Sequence, residues 1–225
     1  MKIAPSIIAA DFTKLNKEIK AIEKAGADLV HLDIMDGVFV PNITFGPMLV
    51  EAINQMTELE LDAHLMIVNP DKYFERFIEC GADWISFHIE TVKNTKKSIN
   101  FLKKRRCRAG IAINPETPLK KVLPFIEYLD FLLIMTVRPG FYGQKFIPGV
   151  LKKIERARDF IDKNRLSCLI QVDGGINGEN AEIVANAGAD ILVAGAGVFK
   201  TKDYKKAIEN LRCCEKEQPS LVKFS

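Results

Sequence analysis

The sequence predicts an α/β protein folded as a (β/α)8 barrel, on a recurring phrase, its spacing, and the texture of the runs between its copies. The phrase small-Gly-Ala-Asp stands at residues 25–28, 80–83 and 187–190, each time closing a helical stretch and opening an apolar run: LVHLDI, WISFHI and ILVAGA. Glycine ends a helix by taking up the left-handed conformation that other residues avoid, and the next strand starts beyond it. The copies lie 55 and 107 residues apart, close to two and four times the 28 residues that each of eight equal units takes in a chain of 225. They therefore open strands two, four and eight of a repeating βα array. The strand candidates are near-continuous apolar runs, as parallel strands covered by helices require, and the segments between them carry apolar residues at helical period among many charges. The expectation is a single TIM-barrel domain over residues 1–225, with the tail after about residue 212 peripheral. An open doubly wound sheet, which needs no contact between its first and last strands, is the alternative.

In order along the chain, strand one is expected at residues 3–8 and a helix at 13–24, followed by strands at 29–34, 60–66 and 84–89. Residues 93–108 hold eight Lys or Arg but alternate them with Ile99, Phe101 and Leu102, so the run reads as the solvated face of an outer helix rather than a nucleic-acid surface. Strands five and six fall at 109–113 and 131–137. Residues 138–148, RPGFYGQKFIP, contain two prolines, two glycines and three aromatics, too long and too particular for a plain connector, and are expected to fold over a ligand as a lid. A helix at 148–163 and strands at 168–172 and 191–196 complete the array.

Composition narrows the function classes. Lys and Arg number 32 against 29 Asp and Glu, too even a balance to argue for nucleic acid, though a mildly positive site suits an anionic small molecule. No run approaches the roughly 20 apolar residues that a membrane span needs. Cys80, Cys107, Cys168, Cys213 and Cys214 contain no C-x-x-C pair and read as reduced intracellular thiols. The chain opens directly on a strand-like run without a basic-then-apolar leader, so a cytoplasmic location is expected.

Side chains at the C-terminal ends of barrel strands converge on one mouth. His31 and Asp33 lie two apart on strand two and so share a face; His64 stands in DAHLM on strand three, and Asp173 ends strand seven in QVDGG. Each alone reads first as an ordinary buried His satisfied by hydrogen bonds or a loop-capping Asp. Together, two imidazoles and two carboxylates interrupt apolar strand ends, where an unpaired charge costs several kcal/mol unless a cation or hydrogen bonds offset it. The set suits one divalent metal ion such as Zn, Mn, Fe or Co, with positions left for substrate oxygens. His88, in FHIE, is expected behind that set or in the pocket wall. Gly174 and Gly175 after strand seven, and Gly195, Ala196 and Gly197 after strand eight, stand where barrels often bind phosphate on backbone N–H groups, aided by a helix N-terminus. Met35, Met66 and Met135 sit at three strand ends as an apolar rim for a planar intermediate, or as core filler.

At HLDIMDG (31–37) followed by FVPNITFG, the chain resembles the ribulose-phosphate 3-epimerase family, and APSIIAADF, DAHLM, FHIE, INPETP, MTVRPGFYGQKFIP and QVDGGI stand in the order that family shows them. The resemblance implies an isomerase of the pentose phosphate pathway that uses one divalent metal ion and no organic cofactor. Its partner is a small-molecule sugar phosphate, with neither nucleic acid nor membrane, and it assembles as a homo-oligomer. It implies that His31, Asp33, His64 and Asp173 bind the metal, that Asp33 and Asp173 are also acid and base, and that Ser6 and His64 contact substrate. Gly140, Phe141, Tyr142, Gly143, Gly174, Gly175, Gly195 and Ala196 then line the substrate and phosphate site. The chain departs from the family where it usually has Gly (Tyr142), commonly Ser (Ala196) and Asn or Glu (Arg138), which points to altered affinity rather than altered chemistry. A sister enzyme acting on allulose 6-phosphate is the nearest rival, with FHIE and NITFG favouring the pentose substrate. A decarboxylase relative would carry a catalytic Lys between Asp33 and Asp36, and none is there. A noncatalytic sugar-phosphate-binding barrel would not need two opposed carboxylates.

Overall fold

The computed structural model describes residues 1–212, so the tail after about residue 212, with Cys213 and Cys214, lies outside the described residues. Eight strands form: β1 (Lys2–Pro5), β2 (Leu29–Met35), β3 (Glu60–Met66), β4 (Ala82–His88), β5 (Arg108–Ile113), β6 (Phe131–Met135), β7 (Leu169–Asp173) and β8 (Ile191–Ala194). They make one parallel sheet in the order β1-β8-β7-β6-β5-β4-β3-β2. The two ends of that list meet as well: Ser6 bridges His31 in parallel register, and the N–H of Asp28 donates to the Ile3 carbonyl at 2.9 Å. The sheet is thus a (β/α)8 barrel and not the open alternative.

Helices α1 (Leu15–Lys24), α2 (Pro47–Asn54), α3 (Phe74–Glu79), α4 (Thr95–Lys104), α5 (Leu151–Lys163), α6 (Ala181–Asn186), α7 (Ala196–Phe199) and α8 (Tyr204–Arg212) follow the strands. The basic run forms α4 as expected, with Ile99 and Leu102 buried against the sheet. Between β5 and β6 the chain makes 3-10 turns, Leu119–Lys121 and Leu123–Tyr128, where the repeat calls for an α-helix; Pro124 supplies no N–H for an α-helical ladder. Strand one ends at Pro5 rather than at residue 8 because the Ser6 hydroxyl accepts the Ile8 N–H at 3.4 Å and starts a 3-10 turn over Ile7–Ala9. Strand six stops at Met135, beyond which the Thr136 hydroxyl turns to the Asp173 and Gly174 carbonyls, at 2.9 and 2.6 Å. Strand eight stops at Ala194, and residues 196–199 join helix α7 instead. Among the described residues no helix is long and apolar enough to cross a membrane.

The recurring aspartate has a common task. Asp28 accepts the Ile3 N–H, Asp83 the Leu61 N–H and Asp190 the Ile170 N–H, at 2.8, 2.9 and 2.8 Å. Each carboxylate at the start of an even strand thereby clamps the start of the preceding odd one. Asp130 does the same for the Ala109 N–H at 2.8 Å, a fourth copy that carries Leu129 before it and no glycine.

Residues alternate in and out along each strand. The outward ones form the large core beneath the helices. Inside, the lower end is plugged by Trp84 and Phe131, whose rings lie 5.1 Å apart, with Trp84 Nε1 donating to Glu60 at 3.0 Å and the Arg108 guanidinium over the indole. Residue 110 must be glycine, since a Cβ there would lie 2.3 Å from the Phe131 ring. That plug leaves the upper half of the barrel to polar side chains.

Candidate functional site

The parallel register sets His31 of β2 beside Asp62 of β3, and Asp33 beside His64. Asp173 reaches the same place from β7 across the barrel, and ligand atoms of His31, Asp33, His64 and Asp173 all lie within 4.8 Å of one another. His31 and His64 are fully buried, and Asp33 nearly so. His31 Nε2 is 3.4 Å from an Asp33 oxygen, while His64 Nδ1 lies 3.3 Å from Asp33 and 3.9 Å from Asp173. The cluster expected from strand ends therefore assembles.

Behind it stands a support that the sequence reading passed over. Asp62, fully buried, takes His31 Nδ1 at 2.7 Å and the Gln171 amide at 2.5 Å. With Nδ1 facing a carboxylate, the Nε2 of His31 is left buried without a hydrogen-bond partner and directed at the other three residues. Two imidazole nitrogens and two carboxylates, one nitrogen orphaned, are a donor set that fits one divalent cation. Asp62 and Gln171 were findable: each lies two residues before a cluster member, in D-A-H and Q-V-D, and so on the same face of its strand. His88 sits behind the cluster, its Nε2 2.9 Å from His64 Nε2, and Glu90 lies beyond it, 3.4 Å from His88 Nδ1. The Thr44 hydroxyl donates to the Asp33 carbonyl at 2.6 Å and accepts the Met35 N–H at 3.0 Å, bracing the end of β2.

Burial and mutual charge drive the proton affinities apart. Burial opposes a charge on Asp33, yet the His31 and His64 imidazoles hold its carboxyl far below the usual carboxylate range. Burial and then the Asp33 charge push Asp173 up to about 7. Burial likewise opposes charge on His31, but the Asp62 and Asp33 carboxylates raise its proton affinity well above the ordinary value. For His64, burial prevails and lowers it to about 4. One carboxylate is thus ionised while the other can carry a proton near neutrality, the arrangement that suits paired base and acid work. The Ser6 hydroxyl donates to Asp33 at 2.5 Å, at the seam between β1 and β2.

Above the cluster opens a cavity of about 190 Å³ whose lining includes Ser6, Asp33 and Asp173, the three methionines Met35, Met66 and Met135, and the loops at 139–144, 174–177 and 195–197. Gly140, Phe141, Tyr142, Gly143, Gly174, Gly175, Gly195 and Ala196 all face it. His64 does not, being buried beneath the floor, so it meets a ligand only through what its Nδ1 holds. The methionines are 5%, 1% and 2% exposed and make an apolar collar around the carboxylates. Helix α7 is a single turn, too short to set up an appreciable helix dipole beside the cavity.

The loop expected as a lid is tied down at several points. Asn42 donates to the Gly140 carbonyl at 2.8 Å, Gln144 donates to the carbonyls of Arg138 and Phe141, and Arg138 pairs with Glu116 at 2.5 Å. Tyr142 lies half-exposed with the Lys200 ammonium 5.7 Å from its ring. Arg138, one of the departures from the family pattern, therefore helps to fasten the loop, while Tyr142, another, lines the cavity. Gly175, at φ +68°, lets residues 144–146 pack against β7, since a Cβ would stand 2.6 Å from the Phe146 nitrogen.

Comparison with known proteins bears on the whole chain. The Ribulose-phosphate 3 epimerase family matches residues 2–199. The chain is similar to ribulose-phosphate 3-epimerase from Bacillus subtilis, 48% identical over 94% of this chain and 98% of that one. It is also similar to the enzyme of the same name from Synechocystis, 46% identical over 98% and 96%. A chloroplastic ribulose-5-phosphate-3-epimerase from Arabidopsis thaliana is 43% identical over 95% of this chain and 77% of that one. Among solved structures, 3-hexulose-6-phosphate synthase from Salmonella typhimurium superposes with a TM-score of 0.70 over 95% of this chain and 98% of that one, at 15% identity, a likeness of fold alone.

Proposed function

The chain belongs to the ribulose-phosphate 3-epimerase family and is an isomerase, and from that premise we propose that it interconverts D-ribulose 5-phosphate and D-xylulose 5-phosphate at C3. The observation that carries the reading is the pair of carboxylates Asp33 and Asp173, brought from β2 and β7 to one cavity floor with opposed proton affinities. Inversion at C3 of a 2-ketose needs a proton removed beside the carbonyl and one returned on the opposite face, so two acid/base groups must flank a planar enediolate. In the direction in which Asp33 is the base, it takes the C3 proton, and Asp173, in its protonated form, gives its proton to C3 from the other face. The reverse direction exchanges the roles.

His31 through Nε2, Asp33, His64 through Nδ1 and Asp173 would hold one divalent ion, Zn, Mn, Fe or Co. When bound, such an ion supplies positive charge beside the oxygens on which negative charge develops. The Ser6 hydroxyl orients Asp33, and the methionine collar keeps water from the reacting carbon. Backbone N–H groups at Gly174, Gly175, Gly195 and Ala196 receive the phosphate, and residues 140–143 cover it. The continuous eight-stranded sheet supports reading the described residues as one catalytic domain.

The test is turnover of ribulose 5-phosphate by the purified chain before and after chelation, with allulose 6-phosphate in parallel and metals added back. Faster pentose turnover restored by metal is expected. Asp33→Asn and Asp173→Asn should each lower it by at least about 10²- to 10⁴-fold, one of them still exchanging the C3 proton of one epimer with deuterium from solvent. Wild-type turnover in either variant removes that carboxylate from the mechanism, and preference for the hexulose phosphate overturns the substrate.

A further inference from the structure

Behind His64 runs a chain of polar groups, from the buried His88 out to Glu90 near the surface, that the reaction itself does not use. His64 Nε2 and His88 Nε2 are 2.9 Å apart, both rings are fully buried, and they stack at 5.0 Å between centroids and 25° between planes. Phe39 closes the other side of His88, 4.7 Å from its ring. The remaining nitrogen, His88 Nδ1, has no hydrogen-bond partner and lies 3.4 Å from Glu90 Oε2, an ion-pair distance at which the carboxylate charge favours a proton on Nδ1. Glu90 is in turn fixed by two donors on its other oxygen, the Thr117 hydroxyl and the Asn114 N–H.

Two nitrogens 2.9 Å apart must share one proton, because two lone pairs or two N–H groups would repel. An ionised carboxylate accepts only, so Glu90 selects the form of His88 with its proton on Nδ1. A neutral His88 then presents a lone pair at Nε2 and can only accept from His64. His64 must carry its proton on Nε2, and its Nδ1 is left as a bare lone pair facing Asp33 and Asp173. His31 reaches the equivalent state in one step, through Asp62. We propose that Glu90, acting through His88, is a positioning residue that sets the tautomer of His64 and thereby makes its Nδ1 a cation ligand. Without that chain, Nδ1 would hold a proton toward Asp33, since a carboxylate oxygen 3.3 Å away favours an N–H there. This rests on the reading that the cluster holds a divalent cation.

The test strips the full-length chain of metal and titrates it with Co²⁺ and with Zn²⁺ alone, against a competing chelator. Glu90→Gln keeps the volume but replaces an obligate acceptor with a group that can also donate. It is expected to weaken both ions about 10- to 100-fold and to change the visible spectrum of the Co²⁺ form. His88→Phe is expected to give a similar loss, and the double variant no more than either single one, because both break the same chain. In the unsubstituted Zn²⁺-loaded protein, nitrogen chemical shifts should show His88 protonated at Nδ1 and bare at Nε2. Affinities within threefold of wild type, losses that add, or a His88 proton on Nε2 overturn the relay. Failure of the unsubstituted chain to bind either ion overturns instead the metal reading beneath it.

Discussion

Glu90 ties a single side chain to the acid limit of the fold. Burial alone would raise its carboxyl, yet His88 beside it and the Thr117 hydroxyl hold it at about 2 against an ordinary 4.5. A depressed folded value means that the contribution is fully present above 4.5 and is lost as the pH falls from there through about 2. The stability gap between wild type and Glu90→Gln, from urea midpoints, should be constant from pH 7 to 5 and have lost more than half its size by pH 3. A gap unchanged at pH 3 would mean that the carboxylate is not held in that way. At this scale the sequence was most legible where chemistry breaks a pattern: His31, Asp33, His64 and Asp173 stand out because polar groups interrupt apolar runs. Asp62 and Gln171 share that signature one alternation deeper and were readable by the same rule. Glu90 and Thr117 were not, because the loops after β4 and β5 bring them together across 27 residues.

The clamp aspartates act between elements. Asp28→Ala would leave the fully buried Ile3 N–H without its acceptor and release the Arg212 guanidinium, which pairs with Asp28 at 2.7 Å. A loss of about 1–3 kcal/mol is expected from the unpaired buried donor, with the exposed ion pair adding little. Denaturant titration reads it, and a loss under about 0.5 kcal/mol would mean that water replaces the carboxylate. Gly175→Ala should cost a similar amount, about 1–3 kcal/mol, and lower turnover as well, because the methyl meets backbone of the loop over the cavity. The starts of strands were legible through glycine-aspartate punctuation. Their ends were not, since β1 and β6 give way at Ser6 and Thr136 to hydrogen bonds made by those side chains. The copy at Asp130 carries no such punctuation, because Tyr128 and Leu129 stand where the other three have glycine and alanine.

For the molecule as a whole, repeat spacing was enough to count eight units but silent on whether the sheet closes. Closure is a contact between β1 and β2, made by the Ser6–His31 bridge and the Asp28 clamp, and no local pattern announces it. The division of the interior was also hidden. Strand texture alone does not reveal that Trp84 and Phe131 seal one end so that buried polar groups can gather at the other. The clamps themselves join strands one to two, three to four, five to six and seven to eight, and none of the four joins an even strand to the next odd one. The barrel is in that sense divisible. A break at residues 105–106 gives two halves that each keep both partners of two clamps, whereas a break at residues 69–70 parts the Leu61 donor from Asp83. Co-expressed fragments from the first break should reassemble in higher yield than those from the second, and equal yields would show that the seams between pairs are as strong as the pairs.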